Sequence, residues 1–167
     1  LGEEEDKMGI RGTSTRSLIL TNVKVPRQNL LFQPGKGHVV AFGILNIGRY
    51  RLAGLCFGTA KLALKDSIRY AKGRTQFGKP ISDFGLIKEK IGEMAIRIFV
   101  AESMIYRTSG LIEEGLKETD ITSNQARYGL LHGLQEYAIE CSMNKVYSSE
   151  MLDYVVNEAV QIHGGYG

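Results

Sequence analysis

Between two long apolar stretches lies Lys72-Gly73-Arg74-Thr75-Gln76-Phe77-Gly78-Lys79-Pro80, a segment whose residue types can hold a ligand. Arg74 and Lys79 offer cationic donors, Thr75 and Gln76 neutral ones, and Phe77 a flat apolar ring. Gly78 lets a ligand approach the backbone. Such a set suits a nucleotide diphosphate with an aromatic base; taken alone, the same residues are read more simply as a solvated turn.

A second cluster closes the sequence, Gln161-Ile162-His163-Gly164-Gly165-Tyr166-Gly167. Gln161 places a side-chain amide beside the open backbone N–H groups of Gly164 and Gly165. A helix stop accounts for one glycine, and two followed by a third exceed what a stop needs. A third cluster, Asn46-Ile47-Gly48-Arg49-Tyr50-Arg51, interrupts an apolar helical stretch with two arginines and a glycine. Arg49 there faces a buried acidic group or, more simply, snorkels to solvent.

Acid–base and nucleophilic chemistry find less support. His38, His132 and His163 are scattered without a partner pattern, and His163 reads as a helix-terminal residue facing the C-terminal dipole. No Ser/His/Asp or Cys/His arrangement, P-loop or GxGxxG is present.

The elements that must position these clusters are mostly helical. Phe84, Ile87, Ile91, Met94, Ile98, Ala101 and Ile105 recur at spacings of three and four, which predicts one amphipathic helix with Ser82 or Asp83 at its N-cap. An earlier helix is predicted from about Val39 to Ala71, with Leu45, Leu52, Leu55, Thr59 and Leu62 on one side. A third region, from about Ile121 to His163 with Asp120, Thr122 or Ser123 as N-caps, presents Ile139, Met143, Val146, Leu152, Val156 and Ala159. Short links between long amphipathic helices make antiparallel neighbours. The fold class is therefore mainly α, a long-helix antiparallel bundle over residues 37–167. Upstream, Ser17 to Val25 reads as one strand ended by Pro26, so residues 1–36 are expected to be a short β remnant.

Composition narrows the function classes. The 167 residues allow one domain, or one plus a piece of another, and a real core. A net charge of +3 with no basic run excludes a nucleic-acid footprint. Cys56 and Cys141 share no metal-ligand or disulfide spacing, which favours a reducing compartment and no metal. No apolar run is read as a membrane span. The chain lacks an initiating Met and stops on a glycine run, so it is expected to be an internal segment of a larger protein.

Taken in order, Lys7-Met8-Gly9-Ile10-Arg11-Gly12-Thr13-Ser14-Thr15-Arg16, Val23-Lys24-Val25-Pro26, Arg74-Thr75-Gln76-Phe77-Gly78-Lys79 and the closing Gln161 to Gly167 resemble the second half of an acyl-CoA dehydrogenase. Residues 139–150 look closer to the very-long-chain-like branch than to the medium-chain one. The resemblance implies FAD as cofactor and a homodimer or homotetramer. It implies α,β-dehydrogenation of an acyl-CoA with an electron-transfer flavoprotein as acceptor, in the cytoplasm of a bacterium or the mitochondrial matrix of a eukaryote. It carries cofactor contacts onto Arg74, Thr75, Gln76, Phe77, Phe84 and Gly85, and onto Gln161, Ile162, His163, Gly164 and Gly165, directed at FAD bound mainly by a neighbouring subunit. It places Asn46, Ile47, Gly48 and Arg49 at the acyl-CoA site.

A few members carry the catalytic carboxylate just before the arginine matched by Arg49; here that position is Gly48. The base is then expected downstream of this sequence, and the segment alone is expected to be inactive. Alternatives are an acyl-CoA oxidase or flavin monooxygenase of the same fold, and a non-catalytic helical oligomerisation module.

Overall fold

The computed structural model describes residues 1–117 and 135–167, and the chain divides into two compact units, Leu1–Lys36 and Gly37–Gly167. Among the described residues the second unit holds three long helices: α1 (Gly37–Gly73), α2 (Gly85–Leu116) and α3 (Ala138–His163). The proposed N-caps Asp120, Thr122 and Ser123 lie outside the described residues.

Cross-helix contacts fix the directions. Tyr50 and Lys61 of α1 reach Ile105 and Glu102 of α2, so these two helices run antiparallel. Asn144 of α3 meets Thr108, while Glu158 meets Lys90, so α3 is antiparallel to α2 as well. Hence α1 and α3 run parallel, and Tyr70 near the end of one meets His163 at the end of the other.

The most extensive packing is between α1 and α3. On α1 the buried positions are Gly43, Asn46, Ala53, Cys56, Ala60, Ser67 and Ala71. These small side chains let the two backbones approach, and Cys141, Asn144, Ser148, Met151, Val155 and Ile162 are buried on α3. The leucine side predicted for α1 faces away from α3: Leu45, Leu52, Leu55 and Leu62 are 37–66% exposed. On α3, Ile139, Met143, Val146 and Val156 likewise point outward, while Leu152 and Ala159 are half-buried. Large residues dominate a periodicity signal, but close helix approach is made by small ones. Only α2 buries the stripe expected of it, through Met94, Ile98, Ala101 and Ile105.

The α1–α2 link is a tight hairpin, Thr75–Gln76 against Lys79–Pro80, with Thr75 opposite Pro80 and Gln76 opposite Lys79. Phe77 and Gly78 form its tip with φ of 54° and 79°. Two successive positive φ values match the twist of a two-residue hairpin, which glycine meets freely and Phe77 meets at some strain. A 3-10 turn, Ile81–Asp83, follows. It displaces the N-cap from Ser82 or Asp83 to Phe84, which caps α2 without a side-chain hydrogen bond.

In the first unit the strand expected over Ser17–Val25 does not form. Among the described residues the pairing is a single bridge, Glu4 opposite Arg16, with Gly2 N donating to Ser17 O at 2.8 Å. Leu18, Ile19, Leu20, Val23 and Val25 are all more than half exposed. Strand propensity reports fit to a half-buried sheet surface, and without neighbouring strands the segment forms no ladder and bends at Asn22, where φ is 53°. Around the bridge, the Glu4 carboxylate accepts hydrogen bonds from Thr15 N at 2.6 Å, Ser14 Oγ at 2.8 Å and Arg16 Nε at 2.7 Å.

By length and composition alone, α1 is apolar enough to cross a membrane. Its small-residue face is packed against α3.

Candidate functional site

The hairpin and the closing turn, distant in sequence, meet at one end of the bundle. Arg74 follows α1 directly, with its backbone N–H donating to Tyr70 O at 2.9 Å and its carbonyl accepting from Ile81 N at 2.8 Å. Both ends of the hairpin are thus anchored. Its tip projects: Phe77 is 90% exposed, and Arg74, Thr75 and Gln76 are exposed with it. Behind the tip, the half-buried Phe84 ring takes the edge of Phe77, with ring centroids 6.2 Å apart, and carries Lys79 Nζ over its face at 4.4 Å.

The closing turn is shaped by Gly164, whose φ of 61° and ψ of −129° suit glycine alone. Its N–H, expected to be open, instead bonds back to Val160 O and Gln161 O to satisfy the last carbonyls of α3, and a 3-10 turn, Gly164–Tyr166, follows. Ile162 is buried and fixes the turn to the core, which leaves Gln161, Gly164 and Gly165 exposed. His163 Nδ1 lies 2.8 Å from Ala159 O. A carbonyl only accepts, so Nδ1 carries the proton, and Nε2 of the neutral ring is an acceptor.

Two contacts join the halves. The Tyr70 and His163 rings stack with centroids 4.4 Å apart and planes 29° apart. The Arg74 guanidinium carbon sits 6.0 Å from the centre of the Tyr166 ring, at the outer limit of a cation–π contact. Neither tyrosine was singled out from sequence. The available signal was the spacing: Tyr70 lies one turn before Arg74, and Tyr166 stands inside the glycine run.

The donor set fits a dinucleotide. Arg74 brings a planar fork suited to phosphate oxygens, Thr75, Gln76 and Gln161 bring neutral polar groups, and Phe77 brings a ring. At Gly78, Gly85, Gly164 and Gly165 an added Cβ would meet nothing within 4 Å, so the backbone is open to a ligand.

Asn46, Ile47, Gly48 and Arg49 lie elsewhere. From Arg49 to the end of α1 the helix rises about 36 Å, so these residues do not join the hairpin end. Asn46 is 5% exposed and accepts from Arg49 Nη1 at 2.6 Å, so among the described residues the half-buried guanidinium is held by an amide rather than by an ion pair. Across the helix pair, burial pushes the Cys141 thiol up; Glu140 adds to this and the charge of Arg49 opposes it. Burial likewise raises Cys56. Both cysteines are free and buried.

The sequence profile of the acyl-CoA dehydrogenase C-terminal domain matches residues 35–167. The chain belongs to the acyl-CoA dehydrogenase family. It is 52% identical over 166 residues to a probable acyl-CoA dehydrogenase of Bacillus subtilis, covering 99% of this chain and 28% of that protein. A subunit of the caffeyl-CoA reductase–Etf complex of Acetobacterium woodii is 36% identical over 167 residues, covering all of this chain and 39% of the relative. The crystal structure of an acyl-CoA dehydrogenase complexed with FAD from Bacillus anthracis superposes with a TM-score of 0.87 at 51% identity, over 99% of this chain and 28% of that one. The chain thus spans well under half the length of these acyl-CoA dehydrogenase relatives.

Proposed function

We propose that this chain is part of an FAD-dependent enzyme that removes hydrogen across the α,β bond of a fatty acyl-CoA and passes electrons to an electron-transfer flavoprotein. Bound flavin would supply hydride acceptance. The residues of this chain orient and bind. Arg74, Thr75, Gln76 and Phe77, with Phe84 and Gly85 behind them and Gln161 to Gly165 beside them, grip the pyrophosphate and adenosine of FAD.

The observation that carries this reading is the meeting of the exposed hairpin with the glycine turn at one end of the bundle. The projecting Phe77 supports a second point. A ring held off its own bundle is suited to a cofactor seated mainly in a neighbouring subunit, so the active enzyme is a homodimer or homotetramer.

The acyl-CoA site takes Asn46, Ile47, Gly48 and Arg49, about 36 Å along α1 from the hairpin. One subunit then serves its own substrate at one end of α1 and its neighbour's cofactor at the other. Arg49, fixed by Asn46, contributes a positioned positive charge. Gly48 offers no carboxylate, so the base that takes the α-proton is a residue outside this sequence, and these 167 residues alone do not turn over.

The test is anaerobic dye reduction by the whole protein with saturated acyl-CoA thioesters, for wild type and Arg74→Ala. Acyl-CoA-dependent reduction that falls in the variant and is restored by excess FAD supports the reading. Absence of acyl-CoA-dependent reduction in the FAD-loaded wild type contradicts it, and rapid oxygen consumption by the reduced enzyme once air is admitted would make it an oxidase.

A further inference from the structure

The contacts joining the hairpin to the closing turn form a two-rung ladder. Tyr70 and Arg74 are four residues apart on one strip at the end of α1, while His163 and Tyr166 are three apart across the end of α3. Each residue of the first pair meets one of the second, Tyr70 on His163 and Arg74 over Tyr166. The rungs differ in what they fix.

A contact over the ring face consumes none of the guanidinium's N–H donors, so the Tyr166 ring, 6.0 Å from the Arg74 guanidinium carbon, attracts Arg74 toward the closing turn and leaves those donors to a ligand. His163 is held on two sides, by the Tyr70 ring and by Ala159 O, which fixes the ring in one tautomer with Nε2 as its acceptor. Gly164, next in the chain, begins the turn proposed to lie against the cofactor. Tyr70 therefore acts on that turn through His163.

We propose that Tyr70 and Tyr166 are positioning residues of the adenylate site: neither is required to touch the cofactor, and together they lock the α1 hairpin and the α3 turn into one surface. This rests on the reading of Arg74 and Gln161 as cofactor ligands. Its chemistry is preorganisation, in which groups already placed lose less freedom on binding. The effect is confined to the adenylate half of the ligand, because the ladder reaches no other part of the candidate site.

The experiment is a binding titration of the whole protein, freed of flavin, with FAD, ADP and FMN as separate probes, backed by circular dichroism and thermal unfolding of each variant. Tyr70→Leu and Tyr166→Leu keep bulk without a ring; Tyr70→Phe and Tyr166→Phe keep the ring. The Leu variants are expected to weaken FAD and ADP about three- to tenfold each, with FMN unchanged and the Phe variants within about twofold of wild type. Folded Leu variants that bind ADP as tightly as wild type would overturn the inference. So would an equal loss of FMN, or Phe variants no better than Leu. Arg74→Ala and Gln161→Ala separate the two claims. If they weaken ADP and the tyrosine variants do not, only the positioning role fails; if they leave ADP unchanged, the adenylate reading itself fails.

Discussion

Arg49 donates from Nη1 to Oδ1 of Asn46 at 2.6 Å, one turn back along α1, and Asn46 is almost wholly buried. An arginine in an apolar helix is usually expected to find an acid or reach for water. Here a neutral amide orients it beside the α1–α3 seam, where its charge acts on Cys141.

Removing the amide therefore has a cost that an ordinary surface residue would not. Asn46→Ala is expected to lower stability by about 2 kcal/mol, as for a hydrogen bond to a charged group, while Asn46→Asp keeps an acceptor and loses less. Urea unfolding of both variants checks this. Equal losses would show that the hydrogen bond is incidental.

The inward face of α1 makes a second, opposite pair of expectations. Ala60 is fully buried against the core, so Ala60→Leu overpacks the seam and is expected to cost about 1–3 kcal/mol. Leu55 is 66% exposed, so Leu55→Ala is expected to change the stability of this chain by no more than about 0.5 kcal/mol. Thermal or chemical unfolding of the 167-residue chain decides between the faces. The reverse ranking would restore the leucine face as the core.

That inversion shows how far the sequence could be read. The α2 stripe was legible because Met94, Ile98 and Ile105 are both large and buried, so hydropathy and packing coincide. On α1 they diverge: Ala53, Ala60 and Ala71 have little hydropathic weight yet permit the closest backbone approach. The Ser17–Val25 segment has strand composition, but pairing depends on neighbours that composition does not contain. The candidate binding residues were legible as types. Their meeting at one end of the bundle depends on α1 and α3 running parallel, which only the tertiary contacts set.

Gly164 and Gly165 offer a sharper test of the closing turn. With φ at 61° and ψ at −129°, Gly164→Ala is strained wherever the turn is kept, and a loss of about 1–3 kcal/mol is expected. Gly165 has no positive φ and open space at its Cβ position, so Gly165→Ala is expected to be nearly neutral for folding. Differential scanning calorimetry of the two variants checks the contrast, and equal losses would contradict the turn geometry.

In the first unit, the Glu4 carboxyl is held below its ordinary value of 4.5, chiefly by the Thr15 N–H and then by the Ser14 hydroxyl, against an opposing effect of desolvation, with Arg16 adding the least. A depressed folded-state value means that the bridge gains from ionised Glu4 above pH 4.5 and loses that gain as pH falls through the lower value. Amide exchange at Thr15 is expected to quicken on acidification beyond the intrinsic pH effect. Glu4→Gln should remove that excess; its persistence in the variant would exclude Glu4 as the cause.

Burial and raised thiol values make Cys56 and Cys141 poor nucleophiles in the folded chain. Both are expected to resist a thiol reagent at neutral pH and to react together once guanidinium unfolds the bundle. Rapid labelling of either in the native state would contradict the α1–α3 packing.

The central claim is that the α1–α2 hairpin and the α3 closing turn form one adenylate-gripping surface. Photolabelling of the whole protein with an azido-adenine FAD, followed by peptide mapping, tests it most directly. The account predicts crosslinks within residues 74–85 and 161–165, suppressed by excess FAD or ADP. FAD-protected labelling confined to other parts of the protein, with both segments unmodified, would contradict it.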